Sequence, residues 1–76
     1  MQQQPGVGRI AHYVARGSAD RRIACRAAII TELGENGTVG LAELNPTGLF
    51  FHPLAAGGAP YDEDQAPGSW HWPERV

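Results

Sequence analysis

Lysine is absent from the 76 residues, cysteine occurs once, and no apolar run comes near the length of a membrane helix. A single thiol, Cys25, rules out any disulfide within the chain. It also excludes the familiar zinc sites built on paired cysteines. A membrane helix needs ~20 consecutive apolar residues, so no membrane partner is expected. Residues 1–6 (Met-Gln-Gln-Gln-Pro-Gly) have neither a charged start nor an apolar stretch and do not read as a signal peptide. The expected location is the cytoplasm of the cell that makes the protein. With no Lys, all six basic residues are Arg, and Ala and Gly are abundant. Those three residues have GC-rich codons, which points to a GC-rich genome and to no particular function.

At this length the chain has room for one domain. Such a domain buries only about 60% of the surface of its unfolded chain, and domains this small often lean on disulfides, metals or oligomerisation. The sequence offers no disulfide and no metal motif, so self-association, a homo-oligomer, is expected. The formal charge of -2 argues against a general nucleic-acid binder. Its distribution is uneven. Residues 1–26 carry five Arg against Asp20, whereas residues 27–76 carry Arg75 against seven acids. A chain polarised in this way can pair with itself or offer a basic face to an anion.

Along the chain, residues 1–6 read as a flexible leader and residues 7–76 as a single small β domain. Residues 7–15 alternate as a strand, with Ile10 and Val14 on one face and Arg9, Ala11 and Tyr13 on the other. Residues 16–20 read as a loop. Residues 19–33 fit either a helix, with Ser18 as N-cap and Gly34 as stop, or a strand. The strand would place Ile23, Cys25, Ala27, Ile29, Thr31 and Leu33 on one face and Arg26, Ala28, Ile30 and Glu32 on the other. The next segment favours the strand. Gly34-Glu35-Asn36-Gly37 is a hairpin signal, because Asn and Gly tolerate positive φ. A three-residue loop with Gly37 left-handed sets Leu33 opposite Val39 and Thr31 opposite Leu41.

Residues 38–44 alternate as a strand, Asn45-Pro46-Thr47-Gly48 is a turn, and residues 49–52 form a short apolar strand. Residues 53–69 are a long irregular stretch of the kind that often carries function, and Trp70-His71-Trp72 closes as a last strand. The sum is an all-β fold: a small single-domain barrel of about five short strands, SH3-like or Greek-key, with strands one to four in a meander and the last returning to close the edge.

Few residues suggest chemistry. Cys25 reads as a small buried hydrophobe, since nothing near it in sequence activates a thiol. His12, His52 and His71 could converge on a metal only if their strands are neighbours, and Asp62-Glu63-Asp64 lacks the spacing of a calcium loop. Trp70 and Trp72 share a strand face, as a core plug or as a platform for a stacked base, with the plug favoured and His71 pointing outward. Arg9, Tyr13, Arg26 and Glu32 fall opposite the main apolar residues, and an Arg–Tyr pair suits a phosphate and a ring. The Asn45–Gly48 turn, which includes Thr47, could add backbone N–H groups as an anion nest. The candidate ligand-binding residues are therefore Arg9, Tyr13, Arg26, Asn45, Thr47, His52, Trp70, His71 and Trp72. No catalytic residue, metal or cofactor is expected.

Four segments carry a resemblance: Gly8-Arg9-Ile10-Ala11-His12-Tyr13-Val14, Cys25-Arg26-Ala27-Ala28-Ile29-Ile30-Thr31-Glu32, Leu44-Asn45-Pro46-Thr47-Gly48-Leu49-Phe50-Phe51 and Gly68-Ser69-Trp70-His71-Trp72-Pro73-Glu74. Over nearly its whole length the chain resembles a family of small proteins without assigned activity, encoded by actinobacterial phages and prophages. The Trp-His-Trp-Pro-Glu ending is the most specific piece, and the loop at residues 17–22 is short beside that family's. The resemblance implies a phage origin and no mechanism. The function expected is a non-catalytic phage accessory binding module, homo-oligomeric by the size argument above, that binds a host protein or sequesters a small anionic, nucleotide-like ligand in the host cytoplasm. The alternative is a virion structural protein, a capsid decoration or tail accessory. An enzyme is disfavoured because no nucleophile–base pair or metal set stands out.

Overall fold

Apolar alternation punctuated by Gly, Asn and Pro yields a run of short antiparallel strands. The computed structural model describes residues 4–16 and 25–73. Strand β1 spans Ile10–Val14, β2 Cys25–Leu33, β3 Val39–Asn45, β4 Gly48–His52 and β5 Trp70–His71. One turn of 3-10 helix, Leu54–Ala56, follows β4. The five strands form a single antiparallel sheet in the order β4-β3-β2-β1-β5. The fold is all-β, and the segment from Cys25 onward is strand, not helix. Residues 17–24, with most of the predicted loop and the Ser18 cap, lie outside the described residues, as do residues 1–3 of the leader and residues 74–76. No helix among the described residues is long and apolar enough to cross a membrane.

The β2–β3 hairpin turns where Asn and Gly permit it. Asn36 and Gly37 have φ of 57° and 80°. The Gly34 N–H donates to Thr38 O (2.8 Å) and the Thr38 N–H to Glu35 O (3.0 Å). Leu33 pairs with Val39 as the loop length requires, but Leu41 pairs with Ile30 and Gly40 with Glu32. A bulge at Thr31 absorbs one residue and displaces the expected Thr31–Leu41 pair. Such a bulge adds twist and bends the strand.

The two sheet faces are largely the reverse of the sequence expectation, except that Val14, on the Ile10 side, is fully buried as expected. The buried face carries Ala11 and Tyr13 of β1, Ala28 and Ile30 of β2, and Val39 and Leu41 of β3, with Trp70 packed among them. The other face carries Ile10, Ile29, Leu44, Leu49 and Phe51, all exposed. Both faces of β1 and β2 hold apolar residues in similar number, so strand alternation alone could not choose between them. The choice is made by β5, which delivers the Trp70 ring onto the Tyr13 side.

The sheet's edges are β4 and β5, which do not pair with each other; β5 instead extends the β1 edge. The segment after the 3-10 turn spans the gap. Ala59 exchanges backbone hydrogen bonds with Val39 (3.0 and 2.8 Å). Just beyond it, Pro60 O accepts from the Trp70 N–H (2.9 Å), and the Asp62 N–H donates to Trp70 O (3.0 Å). Gly58 makes this return possible. Its φ is +60°, and a Cβ there would lie 2.6 Å from Val39 O and 3.0 Å from Leu54 Cδ2. Gly58→Ala is expected to cost about 1–3 kcal/mol, read as a lower urea midpoint at unchanged m-value.

Candidate functional site

A groove opens on the buried face of the sheet, beyond the end of the core. Tyr13, Ala15, Arg16, Arg26, Glu43, Asn45, Phe50 and His52 line about 440 Å³ of open space. Register explains how they meet. Tyr13 pairs with Arg26 across β1 and β2, and Glu43 pairs with Phe50 across β3 and β4. Arg26 and Ala28 are two apart and so share a face, and Ala28 pairs with Glu43. Volumes of about 300–1,000 Å³ are usual for small-molecule sites.

The groove floor is polar. The rings of Tyr13 and His52 stack at 4.4 Å with 27° between planes. His52 Nε2 lies 2.8 Å from Glu43 Oε1. A carboxylate only accepts hydrogen bonds, so Nε2 carries the proton. Glu43, buried at 6% exposure, thus has a partner within the protein. Arg26 Nε is buried and has no hydrogen-bond partner among the described residues. A buried polar group normally finds one, and a guanidinium fork suits a carboxylate or phosphate. Phe50 is half-exposed at the rim, and Arg16 adds a second positive charge.

Of the nine candidate residues, Tyr13, Arg26, Asn45 and His52 come together in this groove. Thr47 is exposed in the turn joining β3 and β4. Trp70 is the plug of the core: it is 1% exposed, and its Nε1–H donates to Gly37 O at 2.8 Å. Trp72 meets Trp70 edge-on at 5.0 Å, and the Arg9 guanidinium lies 5.0 Å over the Trp72 ring. Those two residues are therefore engaged with each other. Tyr61 packs edge-on against Trp70 at 4.9 Å. Partial burial and the nearby Glu63 carboxylate push its phenol above the ordinary value, so it stays protonated at neutral pH. The Asp62 carboxylate accepts from the Asp64 N–H at 2.8 Å, which makes it a turn-builder.

His71 lies away from the groove, on the opposite sheet face, beside residues that sequence reading kept apart. It is buried at 4% exposure and does not reach solvent as an outward-pointing side chain would. Its Nε2 is 3.3 Å from Cys25 Sγ, and its ring lies edge-on to His12 at 5.4 Å. Cys25 is therefore half-buried among polar partners, with Gln65 Oε1 a second acceptor at 3.7 Å, and is not the apolar filler expected. The cause is the pairing of β1 with β5, which sets His71 beside His12 and so brings it to Cys25, 46 residues away in sequence. Phe50 and Glu43 were also missed. Phe50 and Phe51 are both exposed, on opposite sheet faces, and sequence alone does not tell which of the two lines a groove; a lone acid in an apolar strand was the available signal for Glu43.

No family model matches the chain, and neither a curated protein nor a solved structure matches it.

Proposed function

We propose that the protein is a non-catalytic binding module whose groove takes a small anionic ligand bearing a flat ring, a nucleotide-like molecule. The observation that carries this reading is Arg26: a guanidinium with a buried, unpartnered Nε, beside a stacked Tyr13–His52 pair, in an open groove. Arg26 and Arg16 suit the anion. The half-exposed Phe50 ring suits a base, for which stacking contributes roughly 1–3 kcal/mol. Glu43 is held by His52, which limits its repulsion of an anion. The resemblance described above supports a phage-encoded protein acting in a bacterial host.

Native mass spectra of protein freshly purified from cells, followed by titration with nucleoside phosphates, cyclic dinucleotides and inorganic phosphate, test the reading. The expected result is a discrete adduct, or binding of at least one nucleotide, weakened tenfold or more by Arg26→Ala, since a charged hydrogen bond contributes about 1.5–3 kcal/mol. Bare protein that ignores every nucleotide, or binding unaffected by Arg26→Ala and Phe50→Ala, overturns it. Capture of a host protein alone would also move the function away from the groove.

The exposed sheet face favours self-association. Ile10, Ile29, Ala42 and Phe51 are successive partners across four strands. Leu44 pairs with Leu49 in a neighbouring row. Strands lie ~4.8 Å apart, so the row makes an apolar strip roughly 15 Å across. Contiguous apolar patches of this kind mark interaction surfaces. A second copy laid face to face would cover the strip as in a β-sandwich. This face also supports the structural alternative, a virion component that assembles through it. The bridges from Ala59 to Val39 and from residues 60 and 62 to Trp70 support the finer architectural reading, an SH3-like barrel closed by an irregular segment.

A further inference from the structure

We propose that His12, Cys25 and His71 form a metal site for a borderline-soft divalent ion, Zn²⁺, on the sheet face opposite the groove. The inference is independent of what the groove binds.

Strand register builds the site. His12 pairs directly with His71 across β1 and β5. Cys25 pairs with Val14, two residues from His12, which places it diagonally next to His12 on the same face. One ligand atom from each residue lies within 4.8 Å of the others. A tetrahedral zinc with Zn–N of about 2.0–2.1 Å and Zn–S of about 2.3 Å separates its ligand atoms by roughly 3.3–3.8 Å. Cys25 Sγ and His71 Nε2, at 3.3 Å, already stand at that spacing. Closing the set requires its widest pair, at most 4.8 Å apart, to draw in by about 1–1.5 Å.

The second contact of His71 is the independent support. Its Nδ1 lies 2.9 Å from Trp72 O. A carbonyl only accepts, so Nδ1 carries the proton and Nε2 presents its lone pair toward the thiol. Ligating histidines are oriented in just this manner, with the far N–H bonded to a carbonyl or carboxylate. The ring is buried, so the orientation is fixed by packing as well.

The donor set selects the ion. One thiolate and two imidazoles suit zinc or copper and do not suit magnesium or calcium, which take oxygen ligands. Three protein ligands leave a fourth position for water. Gln65 Oε1, 3.7 Å from the thiol, is placed to bond that water or take the position itself. Site types with paired cysteines were the ones sequence spacing could exclude. A set drawn from three strands, with residues 12, 25 and 71, has no spacing signature.

The test uses the untagged chain, stripped with a chelator and titrated with Co²⁺. The expected result is saturation at one equivalent, with visible d–d bands of a tetrahedral ion and a near-ultraviolet thiolate-to-cobalt band. Zn²⁺ should abolish both. Cys25→Ser should lose the charge-transfer band and weaken binding a hundredfold or more. His12→Gln, at a half-buried position, should keep the apo far-ultraviolet circular dichroism and weaken binding at least tenfold. Arg26→Ala should bind as wild type, which separates this site from the groove. Absence of the bands, the same spectrum in Cys25→Ser, or displacement by copper and not by zinc overturns the proposal.

Discussion

Replacing Trp70 by alanine is expected to remove most of the cooperative unfolding transition. The ring is 1% exposed and sits at the centre of the cluster formed by Tyr13, Ala28, Ile30 and Leu41. Deleting a buried Trp costs about 3–5 kcal/mol. Folded proteins hold roughly 0.05–0.15 kcal/mol per residue, which for 76 residues is about 4–11 kcal/mol in all. One substitution thus takes between about a quarter and the whole of the stability. The neighbours explain why little can compensate: Ala11, Ala28 and Ala59 are too small to collapse into the space. The lost Nε1–H bond also leaves Gly37 O without that donor. Urea melts followed by circular dichroism should show a broad, early transition for Trp70→Ala. Trp70→Phe, which keeps a ring and loses the hydrogen bond, should fall in between. A change under 1 kcal/mol for the alanine variant would mean that the core lies elsewhere.

Introducing Ile29→Asp together with Phe51→Asp is expected to convert an associated protein to monomers without unfolding it. Phe51 is 68% exposed and Ile29 37% within a single chain, so neither supports the core. Both lie in the row that a second copy would cover. Burying a Phe or Ile contributes about 1.5–3 kcal/mol, and each copy would contribute both. Carboxylates there would be desolvated without partners, which is far more costly. Light scattering with size exclusion at tens of micromolar should show the wild type as an oligomer and the double variant as a monomer. The dissociation constant should rise at least a hundredfold. The urea midpoint of the variant, measured well below that constant, should match the dilute wild type. A wild type that stays monomeric at high concentration, or an oligomer indifferent to both charges, removes self-association through this face.

Local chemistry made much of the sheet legible and left its assembly hidden. Asn36-Gly37 and the Pro46-Thr47 turn carry their own backbone preferences, so hairpins and strand spans followed from them. The bulge at Thr31 has no such mark, because any residue there could be the extra one. Sidedness was misread because Ile10 and Ile29 are as apolar as Ala28 and Ile30. Only the arrival of Trp70 from 40 residues downstream of Ile30 decides which set is covered. The groove shows the same division. Arg26, Tyr13, Asn45 and His52 could be named by type, but their grouping depends on register across four strands. The His12–Cys25–His71 cluster depends on one long-range pairing and was unreadable for that reason.

The dependence of the core on β5 also has a consequence for synthesis. A chain emerging from the ribosome can complete two of the three hairpins of the meander early, since β2–β3 and β3–β4 join through short turns. Its covering ring is translated after all of them. Until Trp70 clears the exit tunnel, Ile30, Val39 and Leu41 line an uncovered surface. Folding is therefore held back until residue 70 is free of the ribosome, and the nascent meander is the species that chaperones and proteases meet. A nascent chain arrested with residues 1–60 exposed should be protease-sensitive, and one arrested with residues 1–73 exposed should be resistant.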